Sequence, residues 1–257
     1  MTNPTLKILA CCHKQPTSND LLINMLNSNK KLYPIFLGNN CNNIASINNR
    51  IVYHDNVGDN ISYLNPHINE FTGIYWAWKN YDKLDNPEYI GFCHYRRFFN
   101  INDINELLNN TNIKCLSICQ SFTNSFNLGW FFLFQQDVKF THIRIKLLEQ
   151  VLSNEEFELF LNGMCKISSN IVPFSNNMFI MKKEEFFKYC EWMHPKVINM
   201  YNILYNNQQN DYYINDKTGK RYVGYITELL TMFYLWKTFY IKNNNSILLK
   251  NVIQDLS

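Results

Sequence analysis

The chain has 257 residues, 46% hydrophobic and 16% aromatic, enough to bury the core of one large α/β domain. A formal net charge of +3, with no basic run longer than two residues, excludes nucleic-acid binding driven by charge. No stretch approaches the ~20 apolar residues of a membrane span, and the apolar run near the N-terminus is too short for a secretory signal.

In chain order, Leu6–Cys12 reads as a buried strand ending at His13-Lys14, and Ser18-Asn19-Asp20 as a helix start. Tyr33–Leu37 and Arg50–His54 read as strands, with a polar loop over 39–49 and a turn-rich Asp55–Asn60. Pro66, capped by Asn65, opens a helix whose Ile68, Phe71, Ile74 or Tyr75, and Trp78 share a broad apolar face, while Glu70, Gly73 and Ala77 share another. Tyr89–Cys93 follows as a strand. This alternation predicts α/β with a mixed, mainly parallel sheet flanked by helices.

Further on, Ile113–Cys119 reads as a strand, and the aromatic 127–135 segment as a strand or packed loop. Helices are expected over Gln136–Leu152 and Asn154–Met164, and a buried strand over Met178–Met181. A long helix over Glu184–Asn206 is expected to break near His194-Pro195. A polar loop at 207–220 leads to a last helix, Ile226–Tyr240, and the tail after 243 is expected on the surface. The eight cysteines lack framework spacing and a Cys-x-x-Cys pair, as suits reduced, buried thiols in a cytoplasmic protein. Their spacing with histidine does not call for zinc.

The segment Tyr-Ile-Gly-Phe-Cys-His-Tyr-Arg-Arg-Phe-Phe at 89–99 carries the most chemistry. A buried strand delivers His94, Tyr95, Arg96 and Arg97 where α/β sheets place ligands. Adjacent guanidiniums there need an anion or a carboxylate. The functional reading is a station for the diphosphate of an activated sugar; the alternative is pairing with structural carboxylates and a satisfied core histidine. The chain has no Asp-x-Asp pair for a metal, and bidentate arginine could take its place, although a single carboxylate with the diphosphate could still hold Mn²⁺ or Mg²⁺.

Sugar transfer also asks for a base toward the acceptor hydroxyl. Glu228, beside Arg221 and Tyr222, ranks first and Glu70 second. A helix-surface glutamate is the plainer reading of Glu228. Asp59 could meet a ribose or sugar hydroxyl, though turn aspartates are common. His13 and Lys14 lie where a nucleotide could rest, or are a solvated pair. Asp137 and His142, on or beside one helix, are acceptor-site candidates. Trp and Tyr residues suit sugar stacking, but most belong to the core.

His13-Lys14, "DNVGDNIS" (55–62) with "NEFTGIYWAWKN" (69–80), "YIGFCHYRRFF" (89–99), "NNMFIMKKEEFFKYCEW" (176–192) and "GYITELL" (224–230) occur in an order that resembles a bacterial family of capsular and exopolysaccharide glycosyltransferases, domain of unknown function 4422. The resemblance implies a GT-A-like, Rossmann-like domain over 1–257, with a nucleotide-sugar half (1–110) and an acceptor-side, helical half (111–257). It implies a UDP-hexose donor, UDP-galactofuranose among the options, and a saccharide or lipid-linked saccharide acceptor of capsule, O-antigen or lipooligosaccharide, reached by peripheral membrane contact. The motif positions it carries over are His13, Asp59, Glu70, Thr72, Trp76, Trp78, His94, Tyr95, Arg96, Arg97, Asn177 and Glu228. Residues 113–150 match the family poorly, and Phe71 stands where it commonly has leucine. A sugar-phosphate transferase and a non-catalytic carbohydrate-binding scaffold are the alternatives.

Overall fold

The computed structural model describes residues 5–17, 20–38, 44–100, 104, 113–127, 138–164, 168–173, 176–206, 221–241, 246–249 and 252–254. The first half contains β1 (Leu6–Cys12), α1 (Leu21–Ser28), β2 (Leu32–Phe36), β3 (Ser46–Ile47), β4 (Arg50–Ile51), β5 (Tyr53–His54), α2 (Asn65–Ile68), α3 (Phe71–Lys79), β6 (Tyr89–His94) and β7 (Arg97–Phe99). The second contains β8 (Cys115–Asn127), α4 (Val138–Val151), α5 (Asn154–Asn162), β9 (Ser168–Pro173), β10 (Phe179–Lys182), α6 (Lys183–Tyr201), α7 (Tyr222–Leu235), β11 (Ser246–Leu249) and β12 (Val252–Gln254).

The main sheet runs β11-β8-β10-β6-β1-β2-β5. β1 pairs in parallel with both β2 and β6, while β10 runs antiparallel to its neighbours β6 and β8. The sheet is therefore mixed and mainly parallel, as the sequence predicts. Strand alternation splits the core between its faces. Leu9 and Cys11 of β1 pack with α3, α6 and α7, whereas Ile8, Ala10 and Cys12 pack with α1. Gly73 lets α3 lie close to the sheet, since a Cβ there would stand 2.7 Å from Leu37 Cδ2. After β1 the chain moves to β2 and β5 on one side, then crosses to β6 on the other. The gap beyond the carboxyl ends of β1 and β6 is thus a topological switch point, where open α/β sheets hold ligands.

Several expected elements differ. The helix expected from Pro66 is two helices broken at Asn69, whose φ of 50° and ψ of −131° cannot continue an α-helix. Arg50–His54 is split, because β4 folds back on β3 through Asn48-Asn49, both with positive φ, in the manner of a two-residue hairpin. α6 runs through Pro195 without a break. Met193 and Val197, flanking the proline, are fully buried and hold the helix to the core. The last helix starts at Tyr222, four residues earlier than expected. The tail contributes two strands that the sequence did not indicate: β11 extends the main sheet beside β8, and β12 pairs with β7.

Candidate functional site

A cleft of about 390 Å³ opens at the switch point, lined by His13, Asn65, Pro66, Asn69, Glu70, His94, Tyr95, Arg96, Arg221 and Glu228. A smaller one of about 200 Å³ adjoins it, lined by His94, Tyr95, Arg96 and Arg97. His13 follows β1 directly and His94 ends β6, so parallel pairing of these strands brings the two imidazoles to one rim. Glu70 enters from the break between α2 and α3. Arg221 and Glu228 come from the start and the second turn of α7.

Glu70 lies between the two histidines, its Oε1 3.3 Å from His13 Nε2 and 3.5 Å from His94 Nδ1. His94 Nε2–H donates to the Asn176 carbonyl at 2.7 Å, which sets the orientation of the ring. Glu70 is only 6% exposed. Burial alone would raise its pKa, but the His13 bond and the His94 and His13 charges outweigh it and bring the pKa down to about 2. Glu228 faces the same cleft without a hydrogen-bond partner among the described residues. Burial, reinforced by the Glu70 charge and only partly offset by Arg97 and Arg221, pushes it up to about 8. One carboxylate is ionised and its neighbour holds a proton at neutral pH, an arrangement typical of acid/base sites.

Neither Arg96 nor Arg97 forms an ion pair among the described residues. Arg96 is exposed, its guanidinium carbon 4.9 Å from the Tyr95 ring centroid, and Arg97 opens β7 beside the smaller cleft. The alternative expectation, guanidiniums locked to internal carboxylates, is not met among the described residues.

The other sequence candidates fall into two groups. Asn177 lies next to the His94 acceptor Asn176, is 4% exposed, and leaves its Oδ1 without a partner. Lys14 is exposed just past His13. Thr72, Trp76, Trp78, Asp59, Tyr222 and His142 do not line the cleft. The Thr72 hydroxyl donates to the Asn69 carbonyl at 3.2 Å. Trp76 is a core residue whose indole N–H donates to the Val57 carbonyl at 2.6 Å. Trp78 packs edge-on against Tyr75, and Asp59 accepts from the Tyr75 hydroxyl at 2.9 Å. Tyr222 is buried with the Arg144 guanidinium over its ring, and His142 is exposed on α4. Asp137 lies outside the described residues. Sequence reasoning missed Asn65, Pro66 and Asn69 as lining residues. In the sequence Asn65 and Pro66 carry only a helix-start signal, and Asn69 has no chemical signal of its own beside Glu70.

Among the described residues no group of three or more His, Cys, Asp and Glu is arranged to hold a metal ion, and no helix is long and apolar enough to cross a membrane.

Glu70 supplies a pH signature. Its folded value of about 2 lies below the ordinary 4.5, so its contribution is present above pH 4.5 and is lost as the pH falls toward 2. Glu70→Gln is expected to cost about 2–3 kcal/mol at pH 7, shrinking toward zero at pH 2–3. Urea melts at both pH values check this, and a pH-independent difference would rule out the ion-pair role.

The mixed, mainly parallel sheet flanked by helices, with its cleft at the switch point, is a GT-A-like architecture. The family model described as "Domain of unknown function (DUF4422)" matches residues 7–239, and the chain belongs to that family. No curated protein matches it. Among solved structures it is similar to the apo structure of the bifunctional glycosyltransferase WbbM, at 22% identity and a TM-score of 0.67. The likeness covers 98% of this chain and 46% of that one, so this chain spans about half the length of its structural relative, with which it shares the fold.

Proposed function

We propose that the protein is a glycosyltransferase taking a hexose from a nucleoside-diphosphate donor, UDP-hexose first and UDP-galactofuranose among the forms to test. The acceptor is a growing saccharide of capsule, exopolysaccharide or lipopolysaccharide, carried on lipid at the inner face of the membrane and met by peripheral contact. The observation that carries the reading is one cleft holding two glutamates of opposed acidity beside arginines without carboxylate partners among the described residues. Family membership and the shared fold agree with it.

In this reading Arg96 and Arg97 receive the diphosphate. As the bond from the anomeric carbon to the diphosphate oxygen breaks, the electron pair leaves with that oxygen, and the guanidiniums meet the charge. Glu228 in its ionised form takes the acceptor hydroxyl proton as the new carbon–oxygen bond forms. Glu70 keeps His13 and His94 fixed at the rim and, as an anion, raises the proton affinity of Glu228. A divalent cation would be held jointly with diphosphate oxygens.

A thermal-shift panel of nucleotide sugars, run with Mn²⁺ and with EDTA, tests this. A ligand at a hundredfold excess over its Kd stabilises the native state by about 2.7 kcal/mol, a Tm rise of about 5 °C or more at this size. No shift with any nucleotide or nucleotide sugar would reject the transferase reading in favour of a scaffold.

A further inference from the structure

We propose that Asn69 is a positioning residue that holds Arg221 in the cleft to read the donor hexose, in a contact kept open by Gly224. The proposal rests on the transferase reading of the cleft and adds to it the residue that aims the sugar-reading group.

Two unfavourable local choices converge on one contact. Asn69, at φ 50° and ψ −131°, occupies a region that glycine tolerates and asparagine adopts only under constraint. Its carbonyl is captured by the Asn65 side-chain amide at 2.9 Å, the Thr72 hydroxyl at 3.2 Å and the Thr72 N–H at 3.2 Å, which together over-determine the conformation. Glycine would satisfy that backbone with less strain, so the side chain needs its own reason. It is 4% exposed, and its Oδ1 accepts from Arg221 Nε at 3.0 Å.

The second choice is Gly224, inside the first turn of α7, where alanine would favour the helix. A Cβ at that position would stand 2.0 Å from Asn69 Nδ2 and 2.6 Å from its Cγ. The helix forgoes a better helix former at the point where the Asn69 amide needs space.

Arg221 is otherwise an exposed arginine at the N-cap of α7. With Nε tied to Asn69, the guanidinium plane is set, and its two terminal nitrogens have no partner among the described residues. A fixed guanidinium fork suits two neighbouring oxygens, such as an adjacent pair of sugar hydroxyls. It lines the same cleft as Asn65, Glu70, Glu228 and Arg96. With Arg96 and Arg97 assigned to the diphosphate, Arg221 is left for the hexose.

Asn69→Gly separates positioning from folding, because glycine relaxes the strained backbone while removing the amide. Its Tm is expected to equal or exceed that of the wild type. By calorimetry, UDP affinity should stay within about twofold, while affinity for the UDP-hexose that stabilises the wild type most should fall about tenfold. Arg221→Ala in the Asn69→Gly background should add nothing further, and Asn69→Asp, which keeps an acceptor oxygen, should retain hexose affinity. Gly224→Ala, which crowds the amide aside, should reproduce the Asn69→Gly pattern.

A nitrogen-15 spectrum of arginine side chains gives a readout independent of any donor. A protected Nε–H signal, assigned to Arg221 by its loss in Arg221→Lys, should vanish in Asn69→Gly. Survival of that signal, or equal losses of UDP and UDP-hexose affinity, would overturn the proposal. If no UDP-hexose binds the wild type, the transferase reading fails and the Nε–H signal alone decides whether Asn69 holds Arg221.

Discussion

Glu228→Gln is expected to lower turnover by about a thousandfold or more, within the range for losing a general base, while UDP affinity changes little. The carboxyl faces the cleft without a hydrogen-bond partner among the described residues, so the amide should remove the proton acceptor without disturbing a network. The pH dependence has a definite sign. Because Glu228 holds its proton up to about pH 8 and the base must be ionised, wild-type kcat/KM should rise with pH through about 8 and then level. A flat profile from pH 6 to 9, or a glutamine variant with wild-type turnover, would remove Glu228 from the chemistry.

The same group has an opposite effect on stability. Its folded value lies above the ordinary 4.5, so ionisation is resisted by the folded state. Stability contributed by the protonated form is complete below pH 4.5 and is lost as the pH rises through about 8. Glu228→Gln should therefore be more stable than the wild type at pH 9, on the order of 3 kcal/mol after allowing for the water-accessible cleft, and close to it below about pH 4. A variant that is both inactive and harder to melt in alkali would show a site maintained at the expense of stability.

The second large effect falls on the arginines. Arg96→Ala and Arg97→Ala should each weaken UDP binding about 10- to 100-fold, the range for losing a charge-assisted bond to phosphate, and leave uridine binding unchanged. The Tm of both variants should stay within a few degrees of wild type, because neither guanidinium has a carboxylate partner among the described residues. Raising the salt concentration should narrow the gap between variants and wild type. Equal UDP affinity in both variants would place the diphosphate elsewhere.

The sequence made legible those features that depend on apolar patterning or on costly charge. β1, β6 and β10 are short apolar runs and could only be buried strands. His94 and the two arginines stand out because cations at the end of a buried strand need an explanation. What stayed hidden depends on contacts distant in sequence. Glu70 is clamped by residues 57 positions before it and 24 after it, His13 and His94. Trp76 looks like a sugar platform in a motif, yet burial commits its indole to Val57. The asparagine richness, without meaning as composition, becomes readable in the backbone. Of the seven described non-glycine residues with positive φ, Asn48, Asn49, Asn69, Asn86, Asn176 and Asn177 are asparagines, with Asp85 the exception. Asparagine tolerates left-handed backbone better than other non-glycine residues, and here it turns the chain on both sides of the cleft.

The pairing of β12 with β7, with Gln254 opposite Arg97, ties the strand that presents Arg97 to a segment more than 150 residues further along the chain. Deleting residues 252–254 would strip that strand of its partner without touching a residue that lines either cleft. Such a deletion should loosen Arg97 and weaken UDP binding from a distance.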